Sequence, residues 1–294
     1  MIDLAGKKAI ILGGRTGLLG RTLTEKLQEH DIVTIPLSRN DFDPLNEESL
    51  SALLERKKPD LIFNTIAYTK VDQAEDEENK AHLLNTTFPA MLARLAKSQN
   101  CKLIHFSTDF VFDGKKDSPY TETDPTNPQS VYGDTKLSGE EKLLESGYEN
   151  ILIIRTAWLF GPYKTNFIHK ILNFAREREN LTVVHDQSGS PTYTPDLAEY
   201  TIALLKNEAK GIFNVVNSGK ASWCELADEA ISCSAINCRV DPVPTSAYPT
   251  KAKRPPYSVL DTSKLTEVTG ITPRPWVQAL RDYIYNDLKN HLED

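Results

Sequence analysis

No run of this chain stays apolar for the roughly 20 residues that a membrane-spanning helix needs, so no such helix is expected. Cysteine is sparse. The four residues, at 101, 224, 233 and 238, form no C-x-x-C pair and suit reduced thiols better than a disulfide framework. The six histidines are scattered, which leaves no metal site to read. Positive charge is also short: 34 Lys and Arg stand against 41 Asp and Glu, for a net charge of −7. With a pI near 5.5, a nucleic-acid or anionic-membrane partner is not expected, although a few convergent basic residues would still hold a small anion. Repeats and low-complexity tracts are absent. The first eight residues enter a strand pattern without the shape of a signal peptide, so a cytoplasmic protein is the expectation.

What the chain does have is rhythm. Of 294 residues, 39% are hydrophobic and 26% charged, which suits a real core in two domains or one large α/β unit. Residues 8–12 form a short apolar run closed by Gly13-Gly14, the pattern of a buried parallel strand. Helices over 18–28, 49–57, 85–98 and 130–145 then alternate with strands over 32–37, 60–64, 102–106 and 151–155. That alternation predicts a doubly wound parallel α/β sheet. Acidic residues 72–78 read as a solvated helix face, and the proline-rich stretches 113–129 and 242–256 as loops. Beyond 155 the rhythm loosens, with helices over 166–178, 196–206, 222–231 and 276–288 and strands over 181–184 and 212–216. The expected division is a dinucleotide-binding Rossmann domain over 1–155 with a return segment near 193–216. Residues 156–192 and 217–294 would form a smaller, partly interleaved substrate lobe.

The turn Gly14-Arg15-Thr16-Gly17-Leu18-Leu19-Gly20 lies between the first strand and the first helix. Glycines there let a backbone approach a pyrophosphate, and the helix N-terminus offers unpaired N–H groups and the positive end of its dipole. The spacing is one residue longer at its first step than the usual fingerprint, and glycine turns also serve packing alone. The strand before and the helix after are what favour a cofactor. The second strand ends at Ser38-Arg39. An arginine there suits the 2′-phosphate of NADP, whereas Asp41, two residues on, would instead accept from the ribose of NAD.

Tyr132 and Lys136 stand four residues apart on a predicted helix, hence on one face. A phenol beside an ammonium gives up its proton more readily than a free tyrosine, whose pKa is about 10. Next to a nicotinamide, such a pair serves to move a hydride and a proton to a carbonyl. The spacing alone is common. Tyr285 and Lys289 repeat it, on what reads as an amphipathic C-terminal helix far from any strand end. The first pair is preferred because Ser107-Thr108 closes the fourth strand ahead of it, and ligands of such sheets bind beyond the carboxyl ends of strands.

The glycine turn, Thr108 and Tyr132-x-x-x-Lys136 together resemble an extended short-chain dehydrogenase/reductase. Finer blocks resemble the dTDP-4-dehydrorhamnose reductase family. They include Ala67-Tyr68-Thr69-Lys70-Val71-Asp72, residues 107–114, Tyr132-Gly133-Asp134-Thr135-Lys136 and Arg155-Thr156-Ala157-Trp158. Asp186-Gln187-Ser188-Gly189-Ser190-Pro191-Thr192 and Arg254-Pro255-Pro256 continue the match. The resemblance implies reduction of the 4-keto group of a nucleotide-linked 6-deoxy sugar, with NADPH preferred and NADH tolerated. It implies Tyr132 as proton donor, Thr108 as a second donor to the same oxygen, and Lys136 as the group that holds the nicotinamide ribose and lowers the tyrosine pKa.

In the same resemblance Gly14, Thr16, Gly17, Leu18, Leu19, Ser38, Arg39, Ala67, Tyr68, Asn85 and Ser107 line the cofactor with Tyr132 and Lys136. Asp109, Phe112, Trp158, Asn166, Gln187, Ser190 and Arg254 face the nucleotide sugar, Arg254 as a diphosphate fork. Trp158 reads equally as a stacking ring or a core residue, and Asn166 as a substrate or a backbone contact. The chain departs from relatives at Arg15, at Leu18, where glutamine is frequent, and at Thr22, where an acid would be needed for a shared magnesium. No metal site is therefore carried over, and a monomer or homodimer is expected. A dehydratase or epimerase of the same fold is the first competing reading, but Phe110 follows Asp109 where dehydratases carry a second acid. A regulatory subunit that binds NADP without turnover is the other, and intact Thr108, Tyr132 and Lys136 argue against it.

Overall fold

Strand β1 (Lys8–Leu12) buries every side chain after its first, as a parallel strand covered on both faces must. It lies second from one edge of the central sheet in the computed structural model, which describes residues 1–288. Helix α1 (Leu18–Glu29), β2 (Val33–Leu37), α2 (Glu47–Lys57) and β3 (Leu61–Asn64) follow. Short helices α3 (Val71–Ala74) and α4 (Glu78–His82) run through a π-helical turn at Leu83–Thr87 into α5 (Phe88–Gln99). Then come β4 (Lys102–Thr108), α6 (Val131–Glu145) and β5 (Ile151–Thr156). The chain next leaves the sheet for β6 (Leu159–Phe160), α7 (Phe167–Glu177), β7 (Asn180–Val184), β8 (Ser188–Gly189) and β9 (Thr192–Tyr193). It comes back through α8 (Thr194–Lys206) to β10 (Gly211–Asn214). β11 (Ala221–Ser222), α9 (Trp223–Cys233), β12 (Arg239–Val243), α10 (Ser263–Thr269) and α11 (Trp276–Asp282) complete the set.

Six strands pair in parallel in the order β10-β5-β4-β3-β1-β2. The chain runs from β1 outward to β2, then crosses to β3 on the other side of β1. The carboxyl ends of β1 and β3 are therefore the topological switch point, where ligands of such sheets bind. Alternation along the strands feeds two cores. Ile11, Phe63 and Ile154 pack with Leu23 and Leu27 of α1, Leu197 and Leu204 of α8, and Leu265 of α10. Ile10, Leu12, Ile62 and Ile153 pack with Leu50 and Leu54 of α2, Leu92 of α5 and Leu143 of α6. A third core, rich in aromatics, joins α7, α9 and α11 around Phe160, Leu181, Tyr193 and Tyr283. Among the described residues no helix is long and apolar enough to cross a membrane.

Four expectations change. The acids over 72–78 are partly solvated but also paired: Asp72 binds Arg254, Asp76 pairs with Lys251, and Glu75 accepts from Val131 N at 2.9 Å. The helix expected over 85–98 begins earlier and contains the π-helical turn. The start of the proline-rich loop is a strand, with Pro242 opposite Val183 where β12 pairs with β7; β12 forms a two-stranded pair with β7, and a proline is tolerated where its missing N–H has no partner to serve. Helix α10 was not foreseen, because its apolar content is small. The second Tyr-x-x-x-Lys has its tyrosine on the final turn, with the Tyr285 hydroxyl donating to Cys233 O at 3.0 Å. Lys289 lies outside the described residues.

Candidate active site

Helix α1 starts beside the end of β1, with Gly17 as its cap and no acid in its first turn. Gly20 is required by contact: a Cβ there would stand 2.3 Å from the Gly13 carbonyl oxygen. Thr16 is exposed and Gly17 and Leu18 are partly so, while Gly14 is buried. The Leu19 side chain sits in the core. At the end of β2 the Asp41 carboxylate accepts from Ser38 N and Ser38 Oγ, both at 2.8 Å, which holds it below the usual carboxylate range. Arg15 lies 3.4 Å from Asp41 and donates from Nε to Pro36 O at 3.0 Å. Asp41 is thus turned into its own loop, and two guanidiniums, Arg15 and the exposed Arg39, stand at the strand end. Arg15 was not among the expected cofactor residues. Its signal in the sequence is a basic side chain inside the glycine turn.

Ala67 and Tyr68 follow β3 at the switch point. Asn85, fully buried in the π-helical turn, accepts from Tyr68 N at 2.8 Å and donates to Tyr68 O at 3.2 Å and Thr135 Oγ1 at 3.1 Å. It therefore orders the crevice wall through the Tyr68 backbone and α6. Turns of this type recur at functional sites.

Thr108 ends β4, and Oγ1 donates to Asp109 Oδ1 at 3.1 Å and accepts from Phe110 N at 3.2 Å. Tyr132 stands in the first turn of α6, edge-on to Phe110 with ring centroids 5.6 Å apart. Gly133 makes that approach possible, since a Cβ would come 2.3 Å from Phe110 O. The Tyr132 phenol is pushed up to about 12 by burial, with the Thr108 hydroxyl pulling the other way and the Asp109 charge adding to the rise. Lys136, one turn on, does not lower it. Lys136 Nζ donates to Phe106 O at 2.6 Å and lies 3.2 Å from His105 Nε2, and burial pulls it down to about 8.

The geometry explains why. Asn64 Oδ1 accepts from Ile66 N, so its amide nitrogen donates to His105 Nδ1 at 3.0 Å. A neutral imidazole then carries its one proton on Nε2, facing Lys136. Burial keeps His105 neutral, well below its ordinary value. Two donors face each other while Lys136 is an ammonium, and that conflict is relieved by the free amine. His105 was missed in the sequence, although a histidine inside a strand otherwise apolar is a visible signal. Further along α6, Glu140 forms a buried ion pair with Arg155 of β5, with Oε2 2.6 Å from Nη2.

The residues expected at the substrate divide. Trp158, at φ 46°, lies flat on Trp223 with centroids 3.5 Å apart and leaves room only for Gly189 against its edge. Gln187 accepts from Trp223 Nε1 at 3.1 Å and donates to Thr245 Oγ1 at 3.0 Å. Arg254 presents its fork to Asp72, at 3.1 and 2.8 Å, and holds that carboxyl below the usual range. Three of the expected residues are engaged within the protein. Phe112 is fully buried and stacked on Tyr120, Ser190 Oγ is committed to Leu260 N at 3.2 Å, and Asn166 caps α7 while donating to Gly161 O and Tyr283 Oη. Their side chains serve packing. Asp109 is also enclosed, with both carboxylate oxygens already in hydrogen bonds. A cavity of about 390 Å³, lined by His185, Lys220, Ser222 and Glu225 among others, opens in the lobe and includes none of Thr108, Tyr132 or Lys136.

The RmlD substrate binding domain model matches residues 8–288. The chain belongs to this family. A spore coat polysaccharide biosynthesis protein of Bacillus subtilis is 38% identical over 94% of this chain and 96% of its own length. A dTDP-4-keto-6-deoxy-D-glucose reductase of Streptomyces niveus is 37% identical over 92% and 94%. The crystal structure of a dTDP-4-dehydrorhamnose reductase from Bacillus anthracis, in complex with NADP, superposes with a TM-score of 0.92 at 32% identity, covering 95% of this chain and 99% of that one.

For a member of this family, the switch point here fits a nicotinamide dinucleotide. The open N-terminus of α1 suits the pyrophosphate, and Arg15 and Arg39 suit a 2′-phosphate. Ser107 Oγ and Thr156 Oγ1, at the carboxyl ends of β4 and β5, are buried without a partner among the described residues. A buried hydroxyl left unpaired costs about 1–3 kcal/mol, so both are places a ligand would satisfy. Thr156 was not foreseen as a site residue. Among the described residues no group of His, Cys, Asp or Glu is arranged to hold a metal ion.

Proposed function

We propose that this protein uses NADPH to reduce the 4-keto group of a nucleotide-linked 6-deoxy sugar, converting dTDP-4-dehydro-L-rhamnose to dTDP-L-rhamnose. The observation that carries this reading is that Thr108, at the carboxyl end of β4, and Tyr132, in the first turn of α6, flank Phe110, whose N–H donates to Thr108 Oγ1 and whose ring packs edge-on to the Tyr132 ring. NADPH supplies the hydride when bound along the switch point. As negative charge develops on the ketone oxygen, two donors aimed at one atom stabilise it. A phenol held at about 12 is protonated at neutral pH, so Tyr132 arrives as an acid and donates. Lys136, with its nitrogen fixed by Phe106 and His105, holds the nicotinamide ribose. Arg254 and Gln187 serve the nucleotide diphosphate, and Trp158 the sugar.

We assign residues 1–155 and 193–216 to the cofactor and the remainder to the substrate. That division is supported by β10 lying beside β5 and by α8 packing on α1. A cytoplasmic setting is supported by four unpaired thiols. The dehydratase alternative is disfavoured because Phe110, where it would need an acid, packs on Tyr132. The test is to supply NADPH with dTDP-4-dehydro-L-rhamnose or with dTDP-4-keto-6-deoxy-D-glucose, follow nicotinamide absorbance and identify the product. Oxidation of NADPH with either sugar, and formation of the matching alcohol, supports the reading. Epimerised or dehydrated sugar with NADPH unconsumed overturns it.

A further inference from the structure

Arg254 serves the nucleotide diphosphate in the reading above, yet its guanidinium already carries a carboxylate. Nη1 and Nη2 donate to the two oxygens of Asp72, at 3.1 and 2.8 Å. Nη1 also donates to Ala252 O at 3.1 Å. A guanidinium has five N–H groups. Its end-on edge faces Asp72, and the outer Nη1 hydrogen goes to Ala252. The other two, on Nε and on the outer side of Nη2, make no hydrogen bond among the described residues. They run parallel along one side of the group, the second edge on which a guanidinium takes a phosphate with two bonds. The side chain is 22% exposed, so it is not sealed away from a ligand.

The arginine is also held from behind. Asp72 Oδ1 accepts from Ala252 N at 3.1 Å, so one carboxylate fixes both the guanidinium and the turn of chain that bears it. Pro255 and Pro256 have their φ set by their rings and lie close against Gly114, where a Cβ would stand 2.7 Å from each of them. Pro256 O accepts from Ser188 N at 2.8 Å. The neighbouring cations have partners of their own, Lys251 in Asp76 and Lys253 in Gln129. Asp72 belongs to α3, which leaves the switch point shortly after Tyr68. Glu75, the residue after α3, accepts from Val131 N at 2.9 Å, one position before Tyr132. One short helix of the cofactor side therefore ties down both the Arg254 guanidinium and the first turn of α6.

We propose that Asp72 is a positioning residue for the nucleotide sugar, holding Arg254 so that its Nε and Nη2 edge takes the diphosphate at a set distance from Tyr132. The proposal rests on the reductase reading given above. In a 4-keto sugar nucleotide the diphosphate leaves C1 and the ketone stands across the ring at C4. A stiff span between the two anchors then decides which carbon meets the acid. The Asp72 charge repels an anion, and what it gives in return is order. A free arginine loses rotamer freedom when it binds, and Asp72 removes that loss beforehand. The competing role for the same carboxylate, a plug that the diphosphate must displace, predicts the opposite sign when Asp72 is removed.

The test titrates dTDP and UDP calorimetrically into wild type, Asp72→Ala, Asp72→Asn, Arg254→Ala and the double variant Asp72→Ala/Arg254→Ala, with NADPH Kd as the check on folding. Arg254→Ala should weaken the better nucleotide about tenfold, and Asp72→Ala about fivefold. Asp72→Asn keeps one acceptor for the fork and should fall between Asp72→Ala and wild type; it carries the comparison if the alanine variant does not fold. The double variant should bind no more weakly than Arg254→Ala alone, because Asp72 acts through that side chain. In turnover, Asp72→Ala should lower kcat as well as raise KM, since a loosened anchor lets the ketone move away from Tyr132. Tighter nucleotide binding by Asp72→Ala overturns the proposal, as do additive losses in the double variant or an unchanged kcat. A wild type that binds neither nucleotide, or an Arg254→Ala variant that binds as wild type does, overturns it as well. Failure of the reductase reading looks different: NADPH stays unoxidised with either keto sugar while the nucleotide-binding pattern holds.

Discussion

Replacing Arg15 with alanine should weaken NADPH binding far more than NADH binding. The Arg15 guanidinium is held beside β2 by the Pro36 carbonyl at 3.0 Å and by Asp41 at 3.4 Å. A 2′-phosphate there carries a charge of about −1.5 to −2 near neutral pH and draws on both Arg15 and Arg39. Charge-assisted bonds are worth about 1.5–3 kcal/mol when shielded. The Arg15 side chain, however, is 56% exposed, and solvent screening brings such a contact nearer to about 1 kcal/mol. That is about fivefold in Kd for each arginine and about 30-fold for both, if they act independently. Asp41 does not oppose the phosphate, because Ser38 keeps its carboxylate inside the loop. Isothermal titration of both dinucleotides against wild type, Arg15→Ala, Arg39→Ala and the double variant measures the ratio directly. NADH affinity should stay within about twofold throughout. A ratio untouched by Arg15→Ala refutes the placement, and a ratio lost only with Arg39→Ala returns the role to Arg39 alone.

Glu140→Gln leaves Arg155 buried without its counter-ion, so urea unfolding should show a loss of about 3–5 kcal/mol; a loss under about 1 kcal/mol would contradict a buried pair of that strength. Lys136 has a folded-state pKa of about 8, below the 10.5 of free lysine, so between those values the unfolded chain binds more protons. Lys136 should therefore contribute a rise of stability with pH across that window, about 3 kcal/mol at most without cofactor, and Lys136→Met should show a rise smaller by that share, with Lys102 supplying the rest. Equal pH profiles for the two proteins would remove the buried-amine argument. Arg254→Ala should raise KM for the nucleotide sugar about tenfold or more while leaving NADPH Kd unchanged; the opposite pattern assigns the arginine to the cofactor.

The sheet was legible because its strands are buried on both faces and read as unbroken apolar runs, as in β1, β3 and β5. β12 was hidden by Pro242, which argues against a strand wherever a backbone donor is needed. The acids over 72–78 looked unpaired because their partners, Lys251 and Arg254, come from far along the chain. Spacing placed Tyr132 and Lys136 on one helix but said nothing of where the lysine nitrogen would go. Phe106 O and His105 decide that, from a neighbouring strand. Phe112, Ser190 and Asn166 belong to motifs that carry site residues, yet their own side chains hold those motifs in shape. Arg15 and Thr156 acquire meaning only from what the fold sets beside them.

The central claim is that Tyr132 gives the proton when this protein reduces a sugar-nucleotide ketone. NADPH consumption with dTDP-4-dehydro-L-rhamnose by wild type, Tyr132→Phe and Tyr285→Phe tests it most directly. Wild type and Tyr285→Phe should oxidise one NADPH for each sugar reduced. Tyr132→Phe should lose a factor of about 10² to 10⁴ in kcat, with NADPH affinity within about twofold of wild type. A wild type that binds both ligands without oxidising NADPH contradicts the account, as do two tyrosine variants that turn over at the same rate.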